Sequence, residues 1–266
     1  MGLVGVVSLR HVPFTPSHIA AVLPLRGRGV AGLPFAALAA GSMSPDLPYF
    51  LPFADWRVVS PPTHTVAGIL TWDVLFGLAM WAVWRAGAEP LHDLVPDLIR
   101  QRWRPATWPA SPRVWLMVVP AVLIGAATHV LWDEFTHARR FGATQITAIG
   151  ASYLTPWGQF QGYRLLQYAS GAIGLAIILW VGLRQLARDA GPRPRPRLAR
   201  ANTWLVPLFA LTAAVIRVAT LEGLHDLRAL TFAAITAAIS AAITVVILIT
   251  TGHALASNSG RSLQST

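Results

Sequence analysis

Six apolar runs of about 19–22 residues dominate this chain, each as long as a helix must be to cross a hydrocarbon layer of about 30 Å. They are Leu33–Phe53, Val66–Arg85, Val114–Asp133, Ala169–Ala187, Thr203–Leu221 and Phe232–Thr251. Their apolar residues run all round rather than along one stripe, so no face is reserved for water. In lipid such segments must satisfy their backbone hydrogen bonds internally, which makes them helices. The expectation is an all-α fold, a polytopic membrane helical bundle of six spans. A shorter segment, Thr15–Leu25, precedes them, with Thr15 placed to cap a helix and Pro16 suited to its first turn. Eleven residues reach about half a bilayer, so this segment is a half-span or a surface helix.

Composition agrees: 54% of the residues are hydrophobic and 12% charged, against about 25% charged in a soluble domain. Mean hydropathy is +0.52. The N-terminal residues show no charged region, apolar core and cleavage site in order, so Met1–His11 read as a loose extension. Residues 12–256 form a single membrane-embedded domain, and the Ser-rich residues 257–266 a flexible tail.

The formal charge is +10, and all 21 basic residues are Arg. A basic balance of that size invites a nucleic-acid reading, but the arginines sit in short connections between apolar runs, where they act as topology signals. No nucleic-acid partner is expected. The Arg85–Arg113 and Arg184–Arg200 connections carry the densest arginine and are assigned to the cytoplasm. Segments 54–65, 134–168 and 222–230 then lie outside, and the C-terminus lies inside. With no cysteine, the chain has no disulfide, thiolate ligand or sulfur nucleophile; any metal must be held by imidazole nitrogens and carboxylate oxygens.

Ionisable residues at span ends are functional candidates by default, and five fall on the external side. In THVLWDEFTH, His129 and Asp133 stand four residues apart on one helical face, with His137 a further turn along. Two ligands at that spacing can share one cation. His64 opens the next-earlier span in PPTHTVAG, and Asp46 lies between Pro45 and Pro48 near the outer end of its own span. If the chain reverses near Gly32, His18 and Asp46 are each 14 residues from the turn and return to similar depth. His18, Asp46, His64, His129 and Asp133 thus make an all-N/O set suited to a divalent metal, zinc first and manganese second, or to a two-metal centre. A structural polar network is the competing reading.

Other polar residues divide less cleanly. Asp73, in the middle of the second span, counts half a turn out of phase with His64, so it is expected to bond a Trp or backbone on a neighbouring helix rather than join the set. Asp133 and Glu134 are the candidate catalytic acids, Glu134 as a neighbouring base about 100° round the helix. The external 138–168 segment, with His137, Arg139, Arg140 and Arg164, reads as a substrate rim for an anionic lipid head group or a polyprenyl phosphate; an aromatic belt at the interface fits it equally.

The stretches FTPSHIAAVLPL, ALAAGSMSPDLPYFL, THTVAGIL, ATHVLWDEFTH and LLQYASGAIG together resemble the bacterial membrane family catalogued as domain-of-unknown-function 4184, over most of the chain. The order of His, a Pro-Asp turn, Thr-His-Thr and His-x3-Asp is also similar to the LexA-regulated, membrane-bound predicted metal-dependent hydrolases. That resemblance implies a metal site at His18, Asp46, His64, His129 and Asp133, in a multi-pass protein of the bacterial inner membrane. Where the hydrolases carry a second acid and a His after the first Asp, this chain has Leu47-Pro48-Tyr49. The leading functional expectation is a metal-dependent hydrolase of a lipid-like phosphoester at the external face. An isoprenoid or lipid transferase or cyclase is the second, and a non-catalytic transport or assembly protein the third.

Overall fold

The computed structural model describes residues 15–26, 32–51, 62–105, 108–187, 204–221 and 227–264. The Met1–His11 extension and most of the Pro-Arg connection at 188–203 lie outside these residues. The fold is an all-α membrane bundle. We label its main helices α1 (Phe35–Met43), α2 (Val66–Leu94), α3 (Pro112–Thr136), α4 (Gly162–Leu186), α5 (Leu205–Ala219) and α6 (Leu227–Gln264). Among the described residues, four helical stretches are long and apolar enough to cross a membrane: Val66–Leu94, Pro112–Gln145, Gly162–Leu186 and Leu230–Gly252.

Two of the six expected spans differ. Leu33–Phe53 is not one continuous helix, because α1 ends at Met43 and a tighter 3-10 turn, Ser44–Phe50, carries the chain onward. Pro45 and Pro48 remove amide donors there and shorten the α-helical run. Thr203–Leu221 becomes α5, whose 15 residues rise only about 22 Å. The remaining helices are longer than their apolar cores: α2 runs through Pro90 to Leu94, and α4 begins at Gly162, so Arg164, Gln167 and Tyr168 are helical. Helix α6 continues to Gln264, through most of the stretch read as a tail.

The N-terminal segment is built of three short turns, Thr15–His18, Ile19–Val22 and Leu23–Leu25, packed against α4 and α1. The stretch between α3 and α4 holds two short helices, Phe141–Gln145 and Thr147–Gly150, and one antiparallel hairpin, β1 (Ser152–Thr155) with β2 (Gly158–Gln161). Gly158 stands at φ 107°, the left-handed side that a tight hairpin turn demands.

The core lies where α1, α2 and α3 meet, around Val22, Leu33, Leu38, Trp81, Val118 and Val122. Small residues set its spacing. A side chain on Gly41 would run into the Val122 backbone, and one on Gly125 into the Leu38 carbonyl and the Ser42 amide. These glycines let the α1 and α3 backbones touch, the usual way membrane helices gain packing energy when lipid is as apolar as they are. Outward faces remain greasy: Leu70, Leu116, Leu131, Leu179 and Leu248 are all exposed. Replacing Gly125 with Val should force α1 and α3 apart and cost about 1–3 kcal/mol, seen as a lower thermal midpoint in detergent. An unchanged midpoint would show that the close approach is not needed.

Candidate metal centre

Each of the five expected ligands arrives from a different local device. His18 closes the first turn of the N-terminal segment, which is seated on α4 where Gly174 leaves room for the Ser17 backbone. Asp46 sits in the Ser44–Phe50 turn and is 8% exposed. Thr15 does not cap a helix; its hydroxyl donates to Asp46 Oδ2 at 2.5 Å and so ties the two arms of the N-terminal hairpin together. His64 precedes α2 with φ 61°, a left-handed backbone that costs a non-glycine residue about 1–3 kcal/mol. The next residue, Thr65, caps α2 by accepting from the Gly68 amide. His129 and Asp133 lie one turn apart on α3, both buried.

These side chains converge. His64 Nε2 is 3.2 Å from Asp46 Oδ1 and 3.4 Å from Asp133 Oδ2, while His129 Nε2 is 3.7 Å and 3.4 Å from the same two oxygens. Ligand atoms at the corners of a tetrahedron with metal bonds of about 2.0–2.1 Å stand about 3.3–3.4 Å apart, so this spacing is that of a coordination shell. His18 Nε2 is 3.9 Å from the other oxygen of Asp133, and its ring stacks on His129 at 3.8 Å. Two overlapping groups, His18–His129–Asp133 and Asp46–His64–His129, keep their ligand atoms within 4.8 Å of one another.

His129 tests whether the set fits a cation. Its Nδ1 donates to the Ser42 carbonyl at 2.8 Å, so that in the neutral ring Nε2 is the nitrogen with a lone pair. That Nε2 is buried and has no hydrogen-bond partner. A ring fixed through one nitrogen by a backbone carbonyl, with the other presented bare to carboxylates, is the arrangement metal-binding histidines adopt. His18 is readied differently: burial pushes it down to about 4, so the imidazole is neutral near pH 7 and free to ligate.

Around this centre the remaining expected residues fall into two groups. His137 closes α3, with Nδ1 3.4 Å from Asp133 Oδ1 and Nε2 3.2 Å from the Gln167 amide. Glu134 is engaged by its neighbours: Oε1 accepts from Arg140 at 2.8 Å and Oε2 from the Phe141 amide at 3.2 Å. Arg140 also donates to the His64 carbonyl at 3.1 Å, so it braces the left-handed residue. Arg139 is exposed at φ 62°, and Arg164 is half-buried on the first turn of α4.

Asp73 departs from its expected role. Neither carboxylate oxygen has a hydrogen-bond partner, and the residue is 0% exposed. It joins neither group of candidate ligands, in line with the phase reading from His64, although a π-turn, Ile69–Asp73, interrupts the helix between them. The sequence reading gave Thr15 only a capping role and missed Ser42. Thr15 was legible in principle, three residues before His18 and therefore on the same side of a turn; Ser42 acts through its backbone, which no residue type announces.

A family model described as "Domain of unknown function (DUF4184)" matches residues 12–257. No curated protein and no solved structure matches the chain. Exchanging Thr15 for Val keeps the side-chain shape but removes the donor on Asp46. Zinc affinity, measured by competition with a chromogenic chelator, should fall about 10–100-fold, the usual effect of deleting a partner that orients a ligand; an unaltered affinity would contradict the role given to Thr15.

Proposed function

Since the chain belongs to the family described as domain of unknown function DUF4184, whose description names no chemistry, we propose its function from the cluster itself: an integral membrane, metal-dependent hydrolase of a lipid-like phosphoester. The observation that carries this reading is the bare, buried Nε2 of His129, set among two carboxylates and two further imidazoles at coordination spacing. Its likeness to the membrane-bound predicted hydrolases, on the His, Pro-Asp, Thr-His and His-x3-Asp order, supports the same reading. A divalent ion held there, zinc in first place and manganese in second, supplies Lewis acidity and a bound water of lowered pKa.

The chain's own residues do the rest. His18, Asp46, His64, His129 and Asp133 bind the ion, and Ser42 and Thr15 orient two of them. Asp133 reaches both ways, with Oδ2 toward His64 and His129 and Oδ1 toward His18 and His137. In this reading Asp133 holds a proton at Oδ1 as a phosphoester is cleaved. Glu134 is the second acid, held ready by Arg140 and the Phe141 amide. His137, Arg139, Arg140 and Arg164 line the approach and match an anionic head group, for which a guanidinium fork is well shaped. The site opens to the external face of a bacterial inner membrane, and the C-terminus is cytoplasmic, as the loop arginines direct.

Elemental analysis of the detergent-purified protein, paired with phosphate release from a short polyprenyl phosphate and a short-chain phosphatidic acid, tests this. Bound zinc or manganese and metal-dependent release are expected in the wild type. His129→Ala and Asp133→Asn should lose the ion and slow release by at least about 100-fold while keeping their helicity. A wild-type protein that carries no metal, or that retains a chelator-resistant bundle with no turnover, would overturn the reading in favour of a structural polar cluster.

A further inference from the structure

Helix α4 contains no His, Asp or Glu, yet two of the candidate ligands are held through it. His18 is one: the backbone of its neighbour Ser17 rests on Gly174. Asp133 is the other, and here the hold runs through side chains. Trp132 Nε1 donates to the Ser170 hydroxyl at 3.1 Å, which pins α3 to α4. On the same seam the Gln167 amide stands 3.2 Å from His137 Nε2, and His137 Nδ1 stands 3.4 Å from Asp133 Oδ1.

The neighbours of the His137 ring say where its proton lies. An amide nitrogen only donates, so Gln167 Nε2 meets a lone pair at His137 Nε2. On the other side, the Thr136 hydroxyl donates its one proton to the Trp132 carbonyl at 3.3 Å. It therefore meets His137 Nδ1, 3.2 Å away, as an acceptor. The two contacts are independent, and in the neutral ring both put the proton on Nδ1. An N–H beside Asp133 Oδ1 attracts that oxygen, where a bare lone pair would repel it. The other oxygen, Oδ2, faces His64 Nε2 and His129 Nε2, each at 3.4 Å.

We propose that Gln167 is a positioning residue of the metal centre: by donating to His137 Nε2 it keeps the Nδ1–H beside Asp133 Oδ1, and so presents Oδ2 alone to the ion. This rests on the metal-dependent reading and deepens it, giving His137 a task behind the ligands as well as at the approach. Carboxylates that ligate a metal are commonly fixed by a donor on the oxygen that does not, and losing such a partner weakens the site. Oδ1 then stays uncoordinated, as the proton role given to it above requires. A glutamate at 167 has nearly the same shape as glutamine but only accepts, so it reverses the contact and brings a proton to Nε2. The seam between α3 and α4 thereby enters the chemistry of a helix that carries no ligand of its own.

Two measurements on the full-length protein in detergent test this. Nitrogen-15 resonances of the histidine rings, recorded without metal and assigned to His137 by their loss in His137→Asn, report which ring nitrogen carries the proton. Competition with a chromogenic chelator reports zinc affinity. The wild type should show a protonated Nδ1 and a bare Nε2, and Gln167→Glu should show a protonated Nε2 and bind zinc about 10–100-fold more weakly. Gln167→Met, which keeps the length and removes the donor, should also weaken zinc binding, and stands in if the Glu variant folds poorly. A wild-type ring protonated on Nε2, or Gln167 variants that bind zinc as tightly as the wild type, would overturn this role alone. A wild type that binds no zinc would overturn the metal-dependent reading and this role with it.

Discussion

The hydrogen bond from His129 Nδ1 to the Ser42 carbonyl is the contact on which the rest of this molecule turns. It exists because α1 and α3 approach backbone to backbone at Gly41 and Gly125, where any side chain would collide with the opposite chain. The bond fixes the ring, fixes which nitrogen carries the proton, and leaves Nε2 facing Asp46 and Asp133. Helix packing, ordinarily a matter of stability, here sets the hydrogen-bonding pattern of a candidate ligand. A loosened interface would therefore lose chemistry before it lost the fold.

Strain and desolvation gather around the same point. His64 holds a left-handed backbone, and its carbonyl is braced by Arg140 while its ring reaches Asp46 and Asp133. Imidazoles and carboxylates withdrawn from water into a bundle with lipid-facing leucines are costly unless they share a partner. Mutual hydrogen bonding meets part of that cost, as in the Thr15 to Asp46 contact. Among the described ligand candidates of the cluster, the buried Nε2 of His129 remains without a hydrogen-bond partner. A cluster built only as structural glue would be expected to satisfy this atom first.

Much of this was legible in the residues. Apolar run length announced an all-helical membrane bundle, and the i, i+4 spacing of His129 and Asp133 placed both on one face because α3 is a regular helix there. Equal chain lengths about Gly32 brought His18 and Asp46 to one end, and Gly32 does stand at φ 70°. What escaped was whatever breaks helical regularity. The prolines at 45 and 48 turned the first expected span into a short helix and a 3-10 turn, and a π-turn interrupts the second span at Ile69–Asp73. The hairpin at Ser152–Gln161 and the Ser42 carbonyl depend on tertiary contacts and backbone atoms, which leave little trace in residue type.

The central claim is that imidazoles and carboxylates from separate segments surround a cation. X-ray absorption at the zinc edge of the zinc-loaded protein tests it most directly. The account predicts a nitrogen and oxygen shell at about 2.0–2.2 Å with the outer-shell scattering of several imidazole rings, reduced when His129 is replaced by Ala. A zinc ion surrounded by water oxygens alone, with no imidazole scattering to lose, would contradict it.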